Sequence, residues 1–162
     1  MLDAEAPVRS STNFLIFDIG NYSIISRLLD GEFLDYNAAI PKSLTTEVRV
    51  NAKMFINSIE RTSLLITDRL KSPLRCVFDE NLIRISTVTS LGTANDRLYA
   101  QTEGNRVEIG FNNRFLLDAL RACDIEEVKI TLNGPLSPIT IVPPEGDNFL
   151  FLVLPVRLKN EN

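Results

Sequence analysis

The chain has 162 residues, 44% of them apolar and 23% charged, which suits one globular domain or one domain with a fragment beside it. A net charge of −4 argues against a wholly basic nucleic-acid binder and leaves room for a basic face on an acidic body. There is no His, so the commonest metal ligand and the commonest general base are both missing.

In chain order, Phe14–Ile19 and Tyr22–Leu29 read as strands joined by Gly20-Asn21, a two-residue hairpin signal. A lone hairpin is marginal in water, so this pair needs a sheet to join. Phe33 to Lys42 reads as an extended connector, with Ile40 held out of helix by Pro41. Glu47–Val50 alternates like a strand. Asn51 is a candidate N-cap, and Ala52 to about Ile66 has helical spacing, with Phe55, Ile59 and Thr62 on one face. Strands are expected at Pro73–Phe78, Leu82–Thr89 and Asp96–Gln101. The pattern then restarts: strand Val107–Phe111, cap Asn112, helix Arg114–Cys123, and strands Glu127–Leu132, Pro138–Val142 and Phe149–Leu154.

The run Phe149–Leu158 is almost wholly apolar and reads as a strand buried on both faces. Pro155 has no N–H for a ladder, so the strand is expected to fray or sit at an edge there. A polar tail, Lys159–Asn162, follows.

A shift of 61 residues superposes the two halves: Val48-Arg-Val-Asn51 falls on Ile109-Gly-Phe-Asn112, Lys53 on Arg114, Phe55 on Leu116 and Ile59 on Leu120. Two copies are too few for a solenoid. They fit an α+β domain made of a doubled βαβββ unit, with pseudo-twofold symmetry and two helices on one face of a curved antiparallel sheet.

Cys76 and Cys123 lie in apolar contexts without a CxxC motif and are expected to be buried free thiols. No apolar run approaches the ~18 residues of a membrane span. The first residues have neither a basic segment nor an apolar one, so no signal peptide is expected. No phosphate-binding loop, GxGxxG or GxSxG is present, and Ser and Cys have no His partner. Asp30, Asp35, Asp79 and Glu80 sit at turns, where carboxylates belong in any case. The ingredients point to a binding protein with no cofactor and no metal.

Certain segments resemble a known family. Arg27-Leu-Leu-Asp-Gly-Glu-Phe-Leu-Asp-Tyr36 with Ile40-Pro41 is similar to the connector between the second and third domains of the bacterial sliding clamp, the beta subunit of DNA polymerase III. Val107-Glu-Ile-Gly-Phe-Asn112, Leu116-Leu-Asp-Ala-Leu120 and Leu152-Val-Leu-Pro-Val-Arg157 resemble its third domain, in the same order. The resemblance runs from about Val8 to Leu158. It implies the DNA-clamp fold: residues 1–36 as the end of the second domain and the start of the connector, and 37–162 as the third domain. It implies a non-catalytic processivity factor, an accessory subunit of a DNA-directed DNA polymerase in the bacterial cytoplasm at the nucleoid. The implied partners are duplex DNA, polymerase, clamp loader and repair proteins carrying short peptide motifs, and other clamp subunits. No membrane is involved. The first clamp domain is absent, so this chain alone is not expected to close a ring.

By position, the resemblance places a partner-peptide pocket on Leu34, Ala38 and Ala39 of the connector and on Asn112 and Phe115 at the second helix start. Pro138 and the final strand, Leu152, Val153, Leu154, Pro155, Val156 and Arg157, complete it. Ala38 stands where some members carry a basic residue. The other pocket wall comes from earlier in the second domain, so the groove is expected to be partial. Leu64 and Leu65 match a subunit-interface pair, although a helix end packed inward explains them equally. Lys53, Arg61, Arg114 and Arg121 are implied to face DNA, and they also suit an ordinary solvated helix face. Two other readings stay open: an interaction module that binds full-length clamp subunits without encircling DNA, and a small carboxylate enzyme.

Overall fold

The computed structural model describes residues 7–33, 35–67 and 72–158. The chain divides into two units, 1–35 and 36–162.

The first unit is a three-stranded antiparallel sheet in the order β1 (Val8–Ser10), β2 (Phe14–Ile19), β3 (Tyr22–Arg27). Ile19 faces Tyr22, so Gly20 and Asn21 form the tight turn, and Gly20 takes φ +58, where Gly carries no Cβ penalty. Asp18 joins the three strands. It accepts from Ser23 Oγ at 2.6 Å and pairs with Arg9 Nη2 at 2.7 Å. The Ser23 hydrogen bond, helped by Arg9, holds the Asp18 carboxyl below the usual carboxylate range.

The second unit opens on α1 (Tyr36–Ala39) and continues with β4 (Thr46–Asn51), α2 (Ala52–Ser63), β5 (Leu74–Asp79), β6 (Leu82–Thr89), β7 (Gly92–Tyr99) and β8 (Gln101–Gly104). Then come β9 (Val107–Phe111), α3 (Asn113–Ala122), β10 (Glu127–Leu132), β11 (Ile139–Val142) and β12 (Phe151–Val153). The strands form two antiparallel sheets, β12-β11-β10-β4-β8 and β7-β6-β5-β9.

These sheets carry the repeat. The first strand of each half pairs with the second strand of the other: Val50 faces Val128 and Val48 faces Ile130, while Phe111 faces Leu74 and Ile109 faces Cys76. Equivalent residues therefore sit in equivalent registers, as a pseudo-twofold requires. Alternation does the packing work. Val48 and Val50 are buried while Glu47 and Arg49 point out and pair with each other at 3.6 Å. Phe55, Ile59, Leu116 and Leu120 bring the helix faces into the same core. Both caps form: Asn51 Oδ1 accepts from the Met54 N–H at 2.9 Å and Asn112 Oδ1 from the Arg114 N–H at 3.0 Å. The buried hydroxyls of Thr131 and Thr140, opposite each other on β10 and β11, satisfy one another.

Several expectations need correction. The connector is not wholly extended, because Tyr36–Ala39 makes a single helical turn that ends before Ile40-Pro41, and the Ile40 N–H donates to the Tyr36 carbonyl. The strand expected at Asp96–Gln101 is two strands in different sheets. The chain crosses between them at the buried Ala100. The last strand is not buried on both faces. It is an edge of the five-stranded sheet and stops at Val153, two residues before Pro155.

Candidate functional site

The largest groove bearing on the expected site has a volume of about 590 Å³. It opens between the segment after α2, the start of α3 and the C-terminal segment. Phe111 and Pro73 supply apolar lining, joined by Ile66 and Val156, and Asn112, Asn113, Arg114, Thr67 and Ser72 supply polar groups.

Each element is positioned by a local cause. Phe111 ends β9 wholly buried, and Asn112 turns the chain into α3 by capping it. The first turn of α3 thereby brings Asn113 and Arg114 to the groove. The C-terminal segment leaves β12 through Pro155 and lies along β9, where the Val156 N–H donates to the Gly110 carbonyl at 2.7 Å. This approach needs a glycine: a Cβ on Gly110 would stand 2.5 Å from the Val156 carbonyl oxygen and 2.8 Å from Leu158 Cδ2. Pro155 thus sits where the chain passes from one sheet to the other, as Ala100 does in the first half. The Ala100 N–H donates to the Asn81 carbonyl, a bond that a proline cannot make.

The expected pocket residues divide. Asn112 and Val156 line the groove. Phe115 stands exposed on the first turn of α3, 64% accessible, and Leu154 is exposed on the crossing segment beside the half-buried Pro155 and exposed Arg157. Leu152 is half-buried on β12. Val153 is 3% exposed in the core and offers no side chain to a groove, because its side of β12 faces inward. Pro138 comes just before β11 instead of within it. Ala38 is exposed and Ala39 half-buried on α1, and neither lines the groove. Leu34 lies outside the described residues.

Sequence reasoning missed Ile66, Thr67, Ser72 and Pro73. They occupy a loop without periodicity, and only the apolar Pro73 just ahead of a strand marks the place.

The cations expected to face DNA are unequally placed. Lys53 is exposed on α2. Arg61 donates to Asp96 Oδ2 through Nε at 3.1 Å and Nη2 at 2.5 Å, and Ser58 Oγ donates to the same oxygen at 2.7 Å. Burial pushes the Asp96 carboxyl up, but the bonds from Ser58, Arg61 and the Arg97 backbone outweigh it and leave the group below its ordinary value. Arg121 pairs with Glu60 at 2.7 Å. Arg114 lines the groove. Leu64, the C-cap residue of α2, projects into solvent at 80% exposure, and Leu65 beside it is half-buried. Both cysteines are buried. Burial raises the Cys76 thiol far above its usual value and pushes Cys123 up to about 11.

Residues 37–157 match the family described as DNA polymerase III beta subunit, C-terminal domain. The beta sliding clamp of Staphylococcus epidermidis is 29% identical over 157 residues, covering 96% of this chain and 42% of that protein. The DNA polymerase sliding clamp of Bacillus subtilis is 30% identical with a TM-score of 0.87, over 94% of this chain and 41% of that one. A sliding clamp (DNA polymerase III subunit beta) from Bartonella birtlesii, bound to griselimycin, is 27% identical with a TM-score of 0.85, over 93% of this chain and 41% of that one. The chain spans about two fifths of the length of these relatives. Its fold, its repeat and its matched residues together place the chain in the DNA polymerase III beta subunit family, in the part described as the C-terminal domain.

Proposed function

We propose that this chain is the peptide-docking portion of a DNA polymerase processivity clamp and performs no covalent chemistry. The observation that carries the reading is the groove beside α3. It combines apolar lining from Phe111, Pro73 and Val156 with a few polar groups, the form suited to anchoring apolar side chains of a short peptide. In this reading polymerase, clamp loader and repair proteins insert such segments, with the exposed Phe115 and Leu154 extending the contact surface. Leu34, Ala38 and Ala39 belong to the connector wall, and Leu152, Pro155, Arg157 and Pro138 to the surroundings of the C-terminal segment.

Duplex DNA is a partner of the complete ring. Arg61 and Arg121 reach phosphate only by giving up Asp96 and Glu60, so Lys53, Arg61, Arg114 and Arg121 together give contacts that are weak, non-specific and salt-sensitive. The work takes place in the cytoplasm at the nucleoid.

A second reading is favoured by Leu64. An apolar side chain this exposed at a helix end suits a subunit contact, in which the chain caps a full-length clamp subunit through Leu64 and Leu65. Undiminished binding to intact clamp by a Leu64→Lys, Leu65→Lys variant would exclude it.

The groove is tested with a fluorescent peptide carrying the clamp-binding segment of a bacterial replicative polymerase. The chain is expected to bind it, and Val156→Asp to weaken binding at least about tenfold, or about 1.4 kcal/mol. Equal binding by the variant overturns the groove reading.

A further inference from the structure

The sheet of the first unit has an open edge. β2 is its central strand, and β3 pairs on one side only. The Leu28 N–H donates to the Asn13 carbonyl at 2.8 Å, which fixes the phase of the β2–β3 ladder. In an antiparallel ladder, bonded and non-bonded pairs alternate. Tyr22, Ile24 and Ser26 therefore direct their backbone groups at β2, and Ser23, Ile25 and Arg27 direct theirs at the free edge.

Nothing guards that edge. All of β3 is exposed, including Ile24 and Ile25 at 54% and 64%. Its pairing with β2 runs without a bulge, and it contains no Pro, no Lys and no carboxylate. Such a strand is a template for another strand.

The geometry points to a second copy of this chain as the occupant, its β3 paired antiparallel to this β3 about a twofold axis through Ile25. In that register Ile25 faces Ile25 and Ser23 faces Arg27, so every outward backbone group of the strand gains a partner. On the opposite sheet face Ile24 lies against Ser26 and Tyr22 against Leu28. The two Arg27 side chains fall at opposite ends of the joined strands, so no like charges meet. Centring on Ile24 instead would set Arg27 against Asn21 in the turn, beyond the strand end, and strand part of the edge. The self-complementarity of this one register makes the contact isologous, as a closed dimer demands.

The test uses the full chain. Sedimentation equilibrium is expected to show a shift from one chain mass to two as concentration rises. Hydrogen exchange is expected to show the Ser23, Ile25 and Arg27 amides becoming protected over the same range, with Ile24 and Ser26 protected throughout. Ile25→Lys places two like charges face to face at the axis and is expected to leave a monomer. Persistent protection of the Ile16 and Asp18 amides, which face β1, establishes that the variant sheet is intact. Val8→Lys, on the other edge, is expected to dimerise as the parent does. A monomer at every concentration overturns the proposal, as does a dimer unaffected by Ile25→Lys or one without protection at Ser23, Ile25 and Arg27. Protection of those amides only when a longer sliding clamp is added assigns the edge to that chain and overturns it as well.

Discussion

Arg121 donates from Nη2 to Glu60 Oε1 at 2.7 Å, and the two residues stand 61 positions apart, the interval at which the sequence repeats. A residue touches its own repeat mate only where the pseudo-twofold axis passes, so this ion pair marks the axis between α2 and α3. Both side chains are about half exposed, which leaves the pair worth less than about 1 kcal/mol. Glu60→Gln is therefore expected to move the urea midpoint only slightly. A loss of several kcal/mol would mean that the helices depend on this pair more than on Phe55, Ile59, Leu116 and Leu120.

The close approach at Gly110 gives a sharper outcome. Gly110→Ala forces the Val156 and Leu158 segment off β9, and overpacking of this kind costs about 1–3 kcal/mol. Hydrogen exchange of the Val156 amide is expected to rise far more than that of Ile130 in the core. Equal change at both amides would show that the C-terminal segment is not independently held.

Asp96 predicts a pH dependence. Its folded pKa lies below the unfolded value, so its contribution is present above the unfolded pKa, near 3.8, and is lost as pH falls through the folded one. Asp96→Asn is expected to cost about 1.5 kcal/mol at pH 7, the low end for hydrogen bonds to a charged group because Arg61 is mostly exposed. The cost shrinks below the carboxylate range. Urea titrations of both proteins at neutral and acid pH check this, and a constant difference contradicts it.

The thiols supply a test of burial. With Cys76 and Cys123 both buried and raised, neither is expected to react with a disulfide reagent at pH 7 until the chain unfolds. Rapid labelling of either in the native protein would place it at the surface.

Much of the second unit was legible in the sequence because its determinants are local. Asn51 and Asn112 announce their helices, and the apolar spacing of Phe55 to Ile59 and Leu116 to Leu120 sets their inner faces. What was illegible depended on partners distant in sequence. Strand alternation says which face is buried and nothing about which sheet a strand joins, so the crossing at Ala100 went unseen. Pro155 marked its own crossing only as an interruption. The single turn Tyr36–Ala39 is too short to show a period. At the groove, Asn112 and Val156 followed from the resemblance, while Ile66, Thr67, Ser72 and Pro73 belong to a loop whose residues carry no pattern. Val153 was placed in the pocket by its neighbours in the motif, yet strand alternation turns it into the core.

The central claim, that the groove beside α3 receives a partner's peptide, is tested most directly by chemical-shift mapping. The isotope-labelled full chain is titrated with the polymerase peptide. The account predicts saturable shifts concentrated at the Asn112, Arg114 and Val156 amides, with Phe115 and Leu154 moving alongside. Shifts confined to the α2–α3 face around Lys53 and Arg121, with Asn112 and Val156 still, would contradict it.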